Sequence, residues 1–215
     1  MSLITLERKV LEKNDAIAQS IRNKLTQKNI FAFNLLSSPG SGKTSLVERT
    51  IHHLKSKIHI AVIEGDVQTD LDAQRINVLD IPVVQIVTNG ACHLEAGLVR
   101  DAFEKLDISN IQLLIIENVG NLVCPAGFAL GEAHKVVVLS VTEGDDKPLK
   151  YPDAFAAADL LLLNKIDLLP YVRFDVDRCV ANARRVHPGI EVLPLSAITG
   201  AGLGGWLDWL GSRGP

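Results

Sequence analysis

The chain has 215 residues, of which 47% are hydrophobic and 22% charged, and its net charge is −3. That apolar share supports one sizeable core and excludes a disordered chain. The slightly acidic balance, with aromatics at 5%, argues against a surface that coats nucleic acid, and three cysteines do not make a secreted disulfide framework.

Residues 1–15 carry no uninterrupted apolar stretch of the signal-peptide kind. No run approaches the ~20 apolar residues of a membrane span; the apolar block at 155–163 is broken by Asp159. The expectation is a cytoplasmic protein without a membrane span. Residues 1–28 are largely polar, and Leu3, Leu6, Val10, Leu11, Ile17 and Ile21 recur at roughly helical spacing. This predicts an amphipathic N-terminal helix packed on the domain that follows.

From Ile30 the pattern changes. Apolar runs at 30–36, 58–63, 83–87, 113–116, 136–141, 160–163 and 192–195 are each of strand length, and helix-compatible segments at 44–55, 94–106 and 175–186 lie between them. Continuous apolar strands alternating with helices predict an α/β fold with a mostly parallel central sheet and helices on both faces. Ligands in such a sheet gather at the carboxyl ends of the strands. No repeat or linker divides the chain, so residues 29–215 read as one domain behind a helical extension at 1–28.

The first run leads into Ser37-Ser38-Pro39-Gly40-Ser41-Gly42-Lys43-Thr44-Ser45. This is a phosphate loop with one departure, a serine at 37 where the strict pattern has glycine. Gly40 and Gly42 let backbone N–H groups curl around a polyphosphate, and the helix N-terminus that follows adds its positive end. In that reading Lys43 reaches the β- and γ-phosphates and the Thr44 hydroxyl binds magnesium. Gly40, Ser41, Gly42, Lys43, Thr44 and Ser45 are the nucleotide-binding candidates of this loop.

Two further strand ends carry acids. Glu64-Gly65-Asp66 follows the second run, with Asp70 and Asp72 beyond it, and Glu117-Asn118-Val119-Gly120 follows the fourth. A carboxylate at the end of an apolar strand holds magnesium or its waters in phosphate-loop proteins. Asp66, Asp72 and Glu117 are therefore magnesium candidates with Thr44, and Lys43, Asp66, Glu117 and Gly120 are the catalytic candidates. Gly120 offers a backbone amide to the γ-phosphate. Asn121 stands where a water-positioning glutamine is usual, so slow intrinsic hydrolysis is expected.

After the apolar run at 160–163 comes Asn164-Lys165-Ile166-Asp167, similar to the guanine-reading motif of phosphate-loop GTPases. An ionised Asp167 accepts from guanine N1–H and its 2-amino group, a donor pair adenine lacks. Asn164 ties this loop to the phosphate loop and the Lys165 stem covers the base. Ser196-Ala197-Ile198 follows the last run and resembles the second base loop of those GTPases, with isoleucine at 198 where their lysine stands. GTP is favoured over ATP, with GDP as product.

Cys92-His93 and Cys124 are Ni²⁺- or Zn²⁺-type ligands by donor chemistry, but their spacing fits no zinc-finger pattern. On their own they read as two core thiols and a surface histidine, and Cys179 reads as helix packing. The longer strings decide. Ser37–Thr44 and the segments at 90–96, 117–126, 140–152 and 164–170 resemble the hydrogenase nickel-incorporation GTPases, the HypB family of the SIMIBI class. The likeness runs from about Ile30 to Ser196, and is most specific in Glu117-Asn118-Val119-Gly120-Asn121-Leu122-Val123-Cys124-Pro125-Ala126 and Ser140-Val141-Thr142-Glu143-Gly144-Asp145-Asp146-Lys147-Pro148.

The resemblance implies a GTPase metallochaperone that forms a homodimer, with nickel or zinc held by Cys92, His93 and Cys124 at the dimer interface. It implies a hydrogenase precursor and other maturation accessory proteins as partners. Residues 1–35 hold neither cysteine nor histidine, so an extended nickel store is not expected. Alternatives from the same residues are a urease-type accessory GTPase and a metal sensor that binds nucleotide without turnover.

Overall fold

The structure is a computed structural model that describes residues 6–214; Leu3 of the predicted stripe and the side chain of Leu6 lie outside what it describes. Seven strands form one sheet: β1 (Phe31–Ser37), β2 (Ile60–Asp66), β3 (Val83–Val87), β4 (Leu113–Glu117), β5 (His134–Ser140), β6 (Leu160–Asn164) and β7 (Glu191–Pro194). Their order across the sheet is β3-β2-β4-β1-β5-β6-β7, and every neighbouring pair is parallel. The strands are apolar throughout because helices cover both faces.

Among the described residues there are eight α-helices, most of which pack on the sheet: α1 (Leu6–Gln27), α2 (Lys43–Leu54), α3 (Leu71–Asn77), α4 (Ala96–Phe103), α5 (Lys147–Lys150), α6 (Pro152–Ala157), α7 (Val176–Val186) and α8 (Leu203–Arg213). Alternate strand residues serve opposite faces. Phe33, Leu35, Val62 and Ile115 pack with Leu46, Val47 and Ile51 of α2, Ile76 of α3 and Trp206 and Trp209 of α8. On the other face, Ala32, Ile63 and Leu114 meet Ile21 and Leu25 of α1 and Val99 and Phe103 of α4. Leu36, Val137 and Leu161 meet Phe155 of α6 and Cys179 of α7. Cys179 is fully buried, as packing requires.

The predicted helix at 94–106 is shorter at both ends, and the strands at 58–63 and 113–116 run on to include Glu64, Asp66 and Glu117. The acids expected at the strand ends thus lie within the last residues of the strands themselves. α3, α5, α6 and α8 lie outside the helical segments expected from the sequence. α8 contains two adjacent glycines at 204–205, and packing rather than propensity holds it. Trp206 Nε1 donates to Thr50 Oγ1 at 2.9 Å, and its ring meets Phe33 edge-on at 5.3 Å.

α1 buries Ala18, Ile21 and Leu25 but leaves Val10 40% exposed. Its buried polar residue does more than the stripe predicts. Asn14 Oδ1 accepts from Ala96 N at 2.8 Å and Asn14 Nδ2 donates to Ala129 O at 2.8 Å. It therefore satisfies a free N–H at the start of α4, which has no side-chain cap of its own. Gly131 allows the close approach: at its φ of +97° a Cβ would lie 2.6 Å from Ile21 Cγ2.

Candidate functional site

The carboxyl ends of β1, β2, β4 and β6 open on one cavity of about 570 Å³. The phosphate loop forms its floor. Gly40 and Gly42 adopt left-handed φ values of 75° and 95°, which glycine takes without steric cost. At Gly42 the requirement is double, since a Cβ would sit 2.5 Å from Asn164 Nδ2. Lys43 opens α2, and its Nζ donates to Ser37 Oγ at 2.9 Å. The serine that departs from the strict pattern thus gives the lysine a neutral partner. Ser41 Oγ lies 2.7 Å from Glu143 Oε1, and Ser45 Oγ accepts from Arg75 at 3.4 Å.

Above the loop stands an acidic cluster. Glu64 and Glu117 are register partners on adjacent strands, so their side chains share a face. Together with Asp72 they bring one oxygen each within 4.8 Å of one another. Glu117 Oε1 accepts from Thr44 Oγ1 at 2.8 Å. Burial first, and then the adjacent Glu117 carboxylate, push the Glu64 pKa far up; burial also raises Glu117. Two like acids this close, both buried, do not ionise together without a cation. Glu64 Oε2 and Glu117 Oε2 are buried with no hydrogen-bond partner. Hard carboxylate and hydroxyl oxygens, two of them orphaned, fit magnesium.

Asp66 lines the same cavity but points elsewhere. Its Oδ1 accepts from Gln68 N, Thr69 N and Thr69 Oγ1 at 2.8–3.2 Å. Burial opposes its charge, and those bonds outweigh burial and hold its pKa below the usual range. Asp72 is the acid of that segment that reaches the cluster, held from behind by Arg75 at 3.3 Å. Glu64 was not among the predicted site residues. The signal for it was a charge two positions before Asp66, which places both on one face of a strand.

The loops at 164–167 and 196–198 close the far wall. Asn164 Nδ2 donates to Ser41 O at 2.9 Å, and its Oδ1 accepts from Lys165 N and Ala197 N. One amide therefore joins the phosphate loop to the loops at 164–167 and 196–198. Lys165, at φ 63°, sends Nζ to Gly40 O at 2.6 Å. Asp167 Oδ1 is buried without a partner. Ser196 is buried, with Oγ accepting from Thr199 N at 3.1 Å, and Ile198 is 67% exposed at the rim.

A second cluster lies beside the first. Cys92 and His93 precede α4, and Cys124 opens a 3₁₀ turn (Cys124–Gly127) after β4. Their ligand atoms lie within 4.8 Å of one another. The two Sγ atoms are 2.6 Å apart and His93 Nδ1 is 3.8 Å from Cys92 Sγ. The Cys124 sulfur first, then burial, push the Cys92 thiol pKa up. Burial lowers the His93 pKa against Glu95, which leaves a neutral imidazole for a metal. Its Nε2 is buried with no hydrogen-bond partner, and its ring packs on Phe128 at 4.0 Å. The approach to Cys92 turns at Asn89 and Gly90, both at positive φ.

A parallel sheet whose first strand feeds a glycine loop and helix, with acids on the neighbouring strand ends, defines a P-loop nucleotide-binding protein. Residues 31–194 match the family described as the CobW/HypB/UreG nucleotide-binding domain. The hydrogenase maturation factor HypB of Azotobacter vinelandii is 57% identical over 97% of this chain and 69% of its own length, and that of Escherichia coli K12 is 52% identical over 97% and 72%. Among solved structures, HypB from Helicobacter pylori in complex with nickel has a TM-score of 0.89 at 36% identity over 94% of each chain. HypB from Archaeoglobus fulgidus has 0.87 at 38% over 94% and 98%. The signal recognition particle receptor FtsY of Elizabethkingia anophelis, in complex with GDP, shares the fold alone (TM-score 0.56, 14% identity, 86% of this chain and 66% of that one). The chain belongs to the HypB hydrogenase maturation factors of the CobW/HypB/UreG family. Among the described residues no helix is long and apolar enough to cross a membrane.

Proposed function

We propose that the chain hydrolyses GTP to GDP and phosphate and couples that cycle to binding and release of nickel during hydrogenase maturation. One observation carries this reading: residues 117–124 run from the acid bonded to Thr44 to the sulfur that meets Cys92. A single short segment thus serves both the phosphate end of the cavity and the thiol cluster. Support comes from the HypB relatives and from the H. pylori protein solved with nickel.

In this reading Gly40, Ser41, Gly42, Lys43, Thr44 and Ser45 cradle the phosphates, and Lys43 leaves Ser37 to meet charge that builds on the β–γ bridge. Thr44, Glu64, Asp72 and Glu117 would hold magnesium, with Asp66 at the edge of that group. The ion would neutralise phosphate charge. Gly120 presents its amide to the γ-phosphate, and Asn164, Lys165, Asp167, Ser196 and Ala197 hold guanine. Cys92, His93 and Cys124 take Ni²⁺ or Zn²⁺ as cargo. Three ligands leave a four-coordinate site one short, which a second copy of the chain or water completes. A cytoplasmic homodimer that serves a hydrogenase precursor, with residues 29–215 as the GTPase domain behind the 1–28 extension, is part of the same proposal.

Phosphate release from GTP and from ATP, measured beside a nickel titration with and without a non-hydrolysable GTP analogue, tests it. GTP-selective turnover with nucleotide-dependent nickel affinity is expected; tight binding with negligible turnover refutes the GTPase. Base selection has its own test. Asp167→Asn weakens GTP and improves xanthosine triphosphate, whose base carries a carbonyl in place of the amino donor. A hydrogen bond to a charged group contributes about 1.5–3 kcal/mol, or roughly 10- to 150-fold. Unchanged GTP affinity in that variant removes Asp167 from the base site.

A further inference from the structure

The segment that joins the two sites is fastened at both ends. Gly120 lies against the phosphate loop, where an added Cβ would come within 3.1 Å of Pro39 Cα. Asn121 forms an antiparallel bridge with Ser37. From there two asparagine amides reach the metal loop. Asn121 Nδ2 donates to Cys92 O at 3.2 Å while its Oδ1 accepts from Val123 N at 2.9 Å. Asn118, buried beneath, accepts from Leu94 N at 3.2 Å and donates to Asn34 Oδ1 at 3.3 Å. Cys92 O and Leu94 N are the backbone groups on either side of His93. The dipeptide that carries two of the three metal-type ligands is therefore held, at its central peptide and just after it, by the segment that follows β4 and borders the cavity.

We propose that Asn121 is a positioning residue that transmits nucleotide state to the Cys92–His93 loop, with Asn118 as its buried support. The inference rests on the proposed nucleotide–nickel coupling. Asn121 occupies the place where a glutamine orients water in related GTPases, yet both polar ends of its side chain are committed to the metal loop and to Val123. It links sites instead of activating water. A shift of Gly120 toward a γ-phosphate pulls on Cys92 O through one amide and moves Cys124 along the same chain, so the spacing of the ligands changes. By linkage, nickel must change nucleotide affinity by the same factor by which nucleotide changes nickel affinity.

Asn121→Asp isolates the link. The carboxylate still accepts from Val123 N, but it faces the Cys92 carbonyl with a second acceptor in place of the donor. Asn121→Ala removes both bonds and serves as the second variant. For each, nickel affinity is measured by titration with GDP and with a non-hydrolysable GTP analogue, and the ratio of the two is the coupling factor. Analogue affinity is measured with and without nickel as the reciprocal check.

Nucleotide affinity without nickel stays within about twofold of the parent, and the coupling factor falls by about 2- to 12-fold, the range for loss of one hydrogen bond. A merely structural role moves nickel affinity equally in both nucleotide states and leaves the ratio alone. A parent-like coupling factor in both variants overturns the role of Asn121 and leaves the proposed function standing. A coupling factor of one in the parent itself refutes the nucleotide–nickel coupling, and the inference falls with it.

Discussion

Lys43→Ala reduces GTP turnover by at least about 10²–10³-fold, the effect of removing one preorganised charge-stabilising group from a transition state. The argument begins with where the lysine rests. It opens α2, and its Nζ is bonded to the neutral Ser37 hydroxyl at 2.9 Å. Among the described residues no carboxylate is bonded to it, so it is free to move onto phosphate oxygens. Coulomb attraction to Lys43 lowers the pKa of both Glu64 and Glu117 against their burial. Its loss therefore leaves the acidic cluster less compensated as well as the phosphates. Phosphate release at saturating GTP reads the turnover. A melting curve within a few degrees of the parent shows that the fold survives, as expected for a partly exposed side chain. Turnover within threefold of the parent, about 0.65 kcal/mol of barrier, would remove Lys43 from the chemistry.

Much of this fold was legible because buried parallel strands are continuous apolar runs, and seven such runs stand where the seven strands are. The phosphate loop and the motif at 164–167 stand out in the sequence because each is local, a few contiguous residues, whereas Cys92 and His93 gain meaning only from Cys124 and the longer strings around them. What escaped is uniformly long-range. Glu64 looks like the polar end of a strand until β4 brings Glu117 beside it. Asn14, in a stripe judged by its leucines and isoleucines, acquires its meaning from Ala96 and Ala129. α8 carries adjacent glycines and low helix propensity, and it exists because Trp206 and Trp209 complete one face of the sheet. Spacing alone does not show which of Asp66, Asp70 and Asp72 approaches Glu117. α3 begins at Leu71 and turns Asp72 toward Glu117, whereas Asp66 is consumed by the turn that leads there. Asn121 is the sharpest case. Its position relative to Gly120 predicted a weak substitute for a catalytic glutamine, and only the fold shows its amide on Cys92.

Replacing Cys92 and Cys124 together by alanine abolishes stoichiometric nickel binding, whereas Cys179→Ala leaves nickel binding unchanged. The contrast follows from burial and company. Cys179 is fully buried in α7 among Phe155, Leu161 and Ala183, and burial first pushes its thiol up to about 12. A thiol that resists ionisation and belongs to no cluster of three metal-type ligands among the described residues does not hold a metal stoichiometrically. Cys92 and Cys124 are partly exposed, their sulfurs are adjacent, and the neutral His93 ring completes the set. The double variant removes two thiolates from a three-ligand site and leaves one imidazole, which by itself gives no stable four-coordinate centre. The thiolates bind only when deprotonated, and the Cys124 sulfur and burial hold the Cys92 proton more tightly than usual. Nickel affinity of the parent therefore rises with pH through the neutral range, and protons are released on loading. The double variant lacks both responses. If the site is shared between two copies of the chain, nickel also shifts the monomer–dimer equilibrium of the parent and leaves that of the double variant where it was. Sedimentation with and without nickel reads that shift, and wild-type nickel affinity in the double variant would reduce Cys92 and Cys124 to packing residues of an ordinary GTPase.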